Sequence, residues 1–154
     1  MNAARVFRGK WSGGAGMDLK QLETDFMLLK KEIENMKYHM SLMQMMLPDD
    51  SKYAFFQYVL TTNLSKVEAA KILKVLMKMN AKMKGREFPD EMYTVGDEPV
   101  LFDTSLPMEQ WGNEFVKYIN TLFDGKVNPL YLLKASEMQG VYQEICTMLI
   151  EQIE

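Results

Sequence analysis

The feature that most constrains this chain is an unbroken heptad pattern near its N-terminus. From residue 19 onward, apolar residues follow each other at alternating spacings of three and four. A period of about 3.5 residues keeps one stripe of an α-helix facing a partner helix, as in a coiled coil. We call this stripe the seam, and it predicts an oligomer interface at Leu19, Leu22, Phe26, Leu29, Ile33, Met36, Met40 and Met43. The same pattern continues to Leu47.

Charged residues beside the seam agree with self-association. In a parallel homodimer, Asp25 faces Lys30 of the second copy, and Glu32 faces Lys37. Both pairs are attractive, although exposed ion pairs contribute only about 0.2–1 kcal/mol each. The alternative interpretation of the pattern is a long core helix that packs against its own domain.

The C-terminal turns of this helix are rich in methionine. Leu42, Met45 and Met46 make this end apolar on several sides, so we expect it to be buried in the domain. The whole chain has 15 methionines. Methionine fills irregular gaps in cores and also recurs on adaptable binding surfaces. Core packing is the simpler interpretation of the two.

Capping signals divide the rest of the chain into further helices. Ser65 with Glu68 forms a capping box, and Gly85 is suited to end the helix that follows. Later helices carry apolar residues at helical spacing. The predicted fold class is therefore all-α: a multihelical bundle with a long N-terminal coiled-coil-like helix and one irregular or hairpin-containing loop. The predicted N-terminal caps are Asp18, Ser51, Ser65, Ser105 and Asn128.

Residues 86–105 form the longest stretch without helical periodicity. Two short runs, 91–95 and 99–102, flank Gly96-Asp97-Glu98, so a small hairpin is predicted there. The stretch is acidic and is suited to extend as an arm. A loop of this length in a compact domain often has a function, but the residues do not indicate which one.

A basic stripe follows the helix that begins after Ser65. Its members predict a face for an anion or an acidic partner, and a solvated helix face is the alternative. No aromatic residues alternate with the lysines for base stacking, and no arginine offers bidentate base contacts, so nucleic acid is disfavoured. The stripe consists of Lys71, Lys74, Lys78 and Lys82.

The charge of the chain is divided between its two halves. Residues 1–85 hold 14 Lys/Arg and 8 Asp/Glu, whereas residues 86–154 hold 4 and 13. Opposite charge on the two halves favours docking within the chain or head-to-tail between chains.

The predicted domain organisation is a flexible tail at residues 1–17 and a single helical domain at 18–154. A Ser-Gly-Gly-Ala-Gly stretch at residues 12–16 suggests the tail. An alternative is that Met17 is the native start, because a Gly-Gly pair can be encoded by a ribosome-binding sequence. No apolar run approaches the roughly 18 residues of a membrane span, and no membrane partner is expected. The cytoplasm is the expected compartment.

The sequence contains no recognisable catalytic or metal-binding pattern. The only histidine, His39, lies beside the seam and has no nucleophile motif with it. The only cysteine, Cys146, lies in an apolar helical run, which predicts a buried and inert thiol. The sequence therefore predicts a non-enzymatic protein with no catalytic residues, no metal site and no cofactor.

From residue 53 onward the chain resembles a family of small bacterial proteins, the YhaI-like family. The resemblance depends on Tyr53-Ala54-Phe55-Phe56, on Asn63-Leu64-Ser65-Lys66 and above all on Gln139-Gly140-Val141-Tyr142-Gln143-Glu144. It covers most of residues 18–154, and this chain departs from it in a longer 86–105 segment and a more methionine-rich first helix. The resemblance implies a small, all-helical, oligomeric protein, and it carries over no site residues.

The functional expectation is a homo-oligomeric protein-interaction module or regulator, acting as an inhibitor or an adaptor for an unknown partner. Two alternatives are kept. One is a nucleic-acid binder that uses the basic stripe, and the other is a protein that binds a small apolar ligand between its helices.

Overall fold

A computed structural model describes residues 14–46, 48 and 50–154, with side chains from residue 18 onward. The chain divides into two units, residues 1–47 and 48–154, which are described separately below. Most of the predicted tail, residues 1–13, and the seam position Leu47 lie outside the described residues. The single helical domain at residues 18–154 therefore stays a prediction.

The described residues confirm the all-α fold class. One two-stranded antiparallel hairpin interrupts the helices, with Thr94 opposite Pro99 and Val95 opposite Glu98. Short 3-10 turns precede α2, the hairpin and α4. The elements are α1 Gly14–Met46, α2 Ala54–Thr61, α3 Lys66–Met83, β1 Thr94–Val95, β2 Glu98–Pro99, α4 Trp111–Phe123, α5 Pro129–Gln139 and α6 Gln143–Ile153.

Helix α1 begins earlier than its sequence signals indicate. It starts at Gly14, so residues 14–17 of the predicted tail are helical and Asp18 lies inside the helix. The prediction of Asp18 as the N-cap is therefore wrong. Glycine in a helix interior costs only about 1 kcal/mol relative to alanine, so a helix formed from residue 18 onward can extend back over Gly14 and Gly16.

Residues 48–154 are organised around one apolar core. Helices α3 to α6 supply most of it, and α2 and the hairpin segment each close one part. Burying a large apolar side chain completely contributes roughly 1.5–3 kcal/mol, so this cluster is the main source of stability in the unit. The largest fully buried side chains include Phe55, Ile72, Leu76, Met79, Trp111, Phe115, Ile119, Leu132, Leu133, Ile145 and Leu149.

Several predicted caps are confirmed by hydrogen bonds. The Glu68 amide donates to Ser65 Oγ at 3.2 Å, and the Ser65 amide donates back to Glu68 Oε2 at 2.7 Å. Gly85 has a φ of 65°, and the Arg86 amide donates to the Ala81 carbonyl. This is the left-handed glycine ending expected of a helix C-terminus. Asn128 caps α5 through the Tyr131 amide.

Two other predicted caps are wrong. Asp50, not Ser51, caps the turn before α2 by accepting from the Lys52 amide. Ser105 does not cap α4, because its amide and hydroxyl both donate to Asp103. Pro107, with a ψ of 138°, keeps the chain extended after it, so the helical turns begin only at Met108.

Two glutamines cap helices that lie far away in the sequence. Gln139 Oε1 accepts from the Phe55 and Phe56 amides at 2.8 and 3.2 Å, where α2 has no cap of its own. Gln152 Oε1 accepts from the Gly112 amide at 2.7 Å at the start of α4. Amide groups in the first turn of a helix have no partner within the helix, so each glutamine satisfies such groups and ties two helices together.

Gly112 allows α4 and α6 to approach closely. A Cβ atom at this position would lie 2.6 Å from Gln152 Cβ, a distance at which one helix must shift. The same contact positions the Gln152 amide, whose Nε2 also donates to the Met108 carbonyl at 2.9 Å.

We predict that Gly112→Ala lowers the free energy of unfolding by about 1–3 kcal/mol, because overpacking forces the two helices apart. Urea unfolding followed by circular dichroism measures the change. Asn113→Ala, at an exposed position of the same helix, is the control and is expected to be neutral or slightly stabilising. Equal stability of the two variants would show that α4 and α6 do not meet at Gly112.

We also predict that Gln139→Leu costs about 1–2 kcal/mol, because it removes the acceptor for two amides at the start of α2. Gln139→Glu keeps an acceptor and places a negative charge at a helix N-terminus, where it is favourable. Urea unfolding of both variants tests this. If Gln139→Glu lost as much stability as Gln139→Leu, the capping role would be refuted.

Candidate functional site

The seam residues of α1 are all solvent-exposed. From Leu19 to Met43 their side chains are between 40% and 67% exposed, with Phe26 the most exposed and Ile33 the least. Within the described part of residues 1–47, α1 is the only element. The seam therefore has no second element to pack against inside its own unit, which distinguishes it from the apolar faces of α3 to α6.

One stretch of the seam forms an open apolar groove. Leu22, Asp25, Phe26 and Leu29 line a groove of about 440 Å³, together with Glu23. These four residues follow the spacing i, i+3, i+4 and i+7. In a coiled coil, each apolar side chain enters a hole formed by four residues of the facing helix. The groove therefore has the residue arrangement of such a hole.

The prediction that the C-terminal turns of α1 are buried is wrong. Met45 and Met46 are 81% and 82% exposed, and Leu42 is 38% exposed. These residues extend the apolar surface of α1 beyond the seam. Large contiguous apolar surfaces of soluble proteins commonly mark interaction sites.

The basic stripe of α3 lies against residues 87–98 of the same chain. Lys71 Nζ forms an ion pair with Glu98 Oε2 at 2.5 Å, and Lys74 Nζ donates to the Met92 carbonyl at 2.6 Å. Lys78 Nζ lies 5.7 Å from the centroid of the Tyr93 ring. Lys82 pairs with Glu87 at 3.6 Å. The acidic group that meets this stripe is therefore a segment of the chain itself.

Residues 86–105, which include this segment, also contribute to the core. Tyr93, Val100 and Phe102 are between 3% and 6% exposed, and the Phe102 ring meets the Tyr118 ring edge to face at 5.7 Å. The hairpin at Gly96 is confirmed, with a φ of 62° at that glycine. The prediction of an extended arm is wrong, because three of its apolar side chains are buried.

The ion pair between Lys71 and Glu98 lowers the pKa of the glutamate. The hydrogen bond and charge of Lys71 hold the pKa of the Glu98 carboxyl below its ordinary value. Glu98 is exposed, so solvent screening limits what the pair contributes to stability. Binding of an external anion by these lysines stays a prediction, and such an anion would compete with the hairpin segment.

The described residues hold few buried polar side chains. Among the described residues, Ser136 is the buried polar residue, and its hydroxyl donates to the Leu132 carbonyl at 2.9 Å. Cys146 is confirmed as a buried thiol, and burial together with the nearby Glu137 charge raises its pKa to about 12. A thiol with this pKa stays protonated at neutral pH and is a poor nucleophile.

His39 is exposed on α1, with its ring centroid 6.0 Å from that of Tyr38. Within the described ranges, no group of three or more His, Cys, Asp or Glu side chains is placed to hold a metal ion. None of the described helices has both the length and the apolar character that crossing a membrane requires.

Comparisons with known proteins give no family assignment. No family model, no curated protein and no solved structure matches the chain. The resemblance to the YhaI-like family therefore stays a prediction. Its most specific motif has a structural role here: Gln139 caps α2, and Gly140 ends α5 with a φ of 78°.

We predict that the hairpin loosens in acid through Glu98. Because its pKa is lowered in the folded state, the stabilisation is complete above the ordinary carboxyl pKa and is lost as pH falls through the lower, folded-state value. Glu98→Gln is expected to produce the same loosening at neutral pH. Hydrogen exchange of the Val100 amide, which donates to the Tyr93 carbonyl at 3.0 Å, measures it.

The expected result is that Val100 exchanges a few-fold faster in Glu98→Gln than in the unmodified protein. Asp97→Asn, one residue away in the turn, is the control and is expected to leave the rate unchanged. Equal exchange rates in all three proteins would mean that the ion pair does not hold the hairpin.

Proposed function

We propose that this protein is a non-enzymatic, cytoplasmic, homo-oligomeric protein-interaction module, in which α1 joins copies of the chain through its seam. Residues 48–154 then form a helical unit that is available to a protein partner, as in an adaptor or inhibitor. The partner is a second copy at the seam and a different protein elsewhere.

The exposure of the seam is the observation that carries this proposal. Its eight residues repeat at coiled-coil spacing over about three and a half heptads, and each is at least 40% exposed. Most helical stability in proteins comes from packing an apolar face rather than from helix propensity. A second copy of α1 offers the same spacing and the same groove, so it matches the seam along its length.

The non-enzymatic part of the proposal is supported by the placement of the reactive side chains. The buried thiol of Cys146 has a raised pKa, and His39 lies on the exposed surface of α1. Catalysis usually depends on reactive groups with tuned pKa values held together in a cleft. These two residues lie on different helices in different units.

The contacts of the basic stripe favour protein interaction over nucleic-acid binding. Phosphate contacts require accessible cations, whereas Lys71, Lys74 and Lys78 already contact residues 92–98, and Lys82 pairs more loosely with Glu87. Binding of a small apolar ligand is also less favoured, because the most apolar groove described is open and lies on the seam itself. We include membership of the YhaI-like family in the proposal, because the resemblance implies a small, helical, oligomeric protein.

The decisive experiment disrupts the seam. Leu29→Asp with Ile33→Asp places two charges in the middle of the apolar stripe, where an interface would desolvate them at high cost. We predict that the unmodified protein is an oligomer by light scattering and that this variant is a monomer. Circular dichroism and urea unfolding show whether residues 48–154 stay folded in it.

The matched control is Thr24→Asp with Tyr38→Asp, which introduces two charges on the side of α1 away from the seam. Both residues are exposed, and this variant is expected to remain an oligomer. An unmodified protein that is monomeric at tens of micromolar would overturn the proposal. So would an equal loss of mass in both variants, since it would show that the seam is not the interface.

A further inference from the structure

We infer that α1 pairs with α1 of a second copy in parallel and in register. This inference rests on the proposed self-association and adds the orientation of the two helices. It is carried by the charged residues that flank the seam, which form two edges of different composition. The first edge holds Asp18, Asp25 and Glu32, and the second edge holds Glu23, Lys30 and Lys37. All six side chains are exposed.

A parallel pair places the first edge of one helix against the second edge of the other. In a parallel coiled coil, a residue on the first edge meets the residue five positions later on the facing helix. Asp25 then meets Lys30, and Glu32 meets Lys37, on both sides of the pair. The repulsive contact, Asp18 with Glu23, lies near the N-terminal end, where water and salt screen it most.

An antiparallel pair places each edge against its own counterpart. When the seam residues stay in contact, Glu32 meets Glu32 and Lys30 meets Lys30 near the middle of the interface. The attractive contact in that register, Glu23 with Lys37, forms once toward each end of the pair, and Asp25 meets His39. Like charges that face each other near the middle of the interface oppose association, so the two edges favour the parallel orientation.

Cross-linking tests the orientation directly. Leu22→Cys places a thiol on the seam, and in a parallel, in-register pair the two copies of this thiol face each other within disulfide distance. In an antiparallel pair they lie at opposite ends of the interface. Cys146 is buried, so the unmodified protein treated with the same oxidant is the control.

We predict that Leu22→Cys forms a covalent dimer under mild oxidation and that the unmodified protein does not. A mixture of Leu22→Cys and Met40→Cys chains reports the alternative, because these positions approach each other in an antiparallel pair. A cross-link that forms only between the two different chains would overturn the inference.

Two substitutions on the second edge give effects of opposite sign. Lys30→Glu turns both Asp25 contacts of the parallel pair from attraction to repulsion and is expected to raise the dimer Kd roughly ten-fold. Glu23→Lys removes the repulsion with Asp18 and is expected to lower the Kd several-fold. In an antiparallel pair, Glu23→Lys is expected to raise the Kd, because the new lysine repels Lys37. Lys30→Glu is expected to change the Kd little, because it replaces one pair of like charges with another.

Sedimentation equilibrium measures the Kd of all three proteins, and circular dichroism checks that α1 remains helical in each. Both effects are expected to shrink at high salt, because the contacts are exposed. The parallel orientation would be refuted if neither substitution lowered the dimer Kd and Leu22→Cys formed no cross-link. Self-association itself would not be refuted by that result. A monomeric unmodified protein would refute both.

Discussion

The physical constraint that dominates α1 is its apolar seam, which is exposed to solvent. Residues 14–46 form a single helix with an exposed apolar stripe, and no other element is described in that unit. An isolated helix gains little from backbone hydrogen bonding alone, because its first turn is costly to form and water competes for the same groups. A helix of this kind is stabilised by packing its apolar stripe, and in the proposed oligomer the stripe of a second copy, which has the same period, supplies that packing. The proposed self-association would meet this requirement.

Residues 48–154 are stabilised by contacts within their own unit. Their apolar faces meet each other, and polar side chains connect elements that are distant in the sequence. Gln139 joins α5 to α2, and Gln152 joins α6 to α4. The Tyr58 hydroxyl donates to the Asn128 carbonyl and accepts from the Asn128 amide. Each of these bonds satisfies backbone amide or carbonyl groups at a helix end or in a turn. The same side chains therefore fix the local backbone and hold two helices together.

Local signals in the sequence predict much of the fold, and long-range ones do not. The capping box at Ser65, the left-handed Gly85 and the Asn128 cap depend on neighbours a few residues away, and all three predictions are confirmed. The glutamine caps of α2 and α4 depend on residues 83 and 40 positions away. Ser51 and Ser105 were plausible caps by residue type, but Asp50 and Pro107 decide the local geometry instead. The long helix that carries the seam is predictable because its period is local, whereas the burial of its methionine-rich end, which composition predicts, is contradicted.

The uneven charge of the chain acquires a more specific meaning from these contacts. A surplus of lysine in the first half and of acid in the second indicated docking within or between chains. The lysines of α3 meet residues 87–98 of the same chain, so that part of the imbalance is neutralised internally. Among the described residues of their own unit, the charges that flank the seam form no ion pair, and they occur as an acidic edge beside a partly basic one. In the proposed dimer, charge complementarity between molecules is concentrated on α1, where it favours one orientation of an interface stabilised by apolar burial.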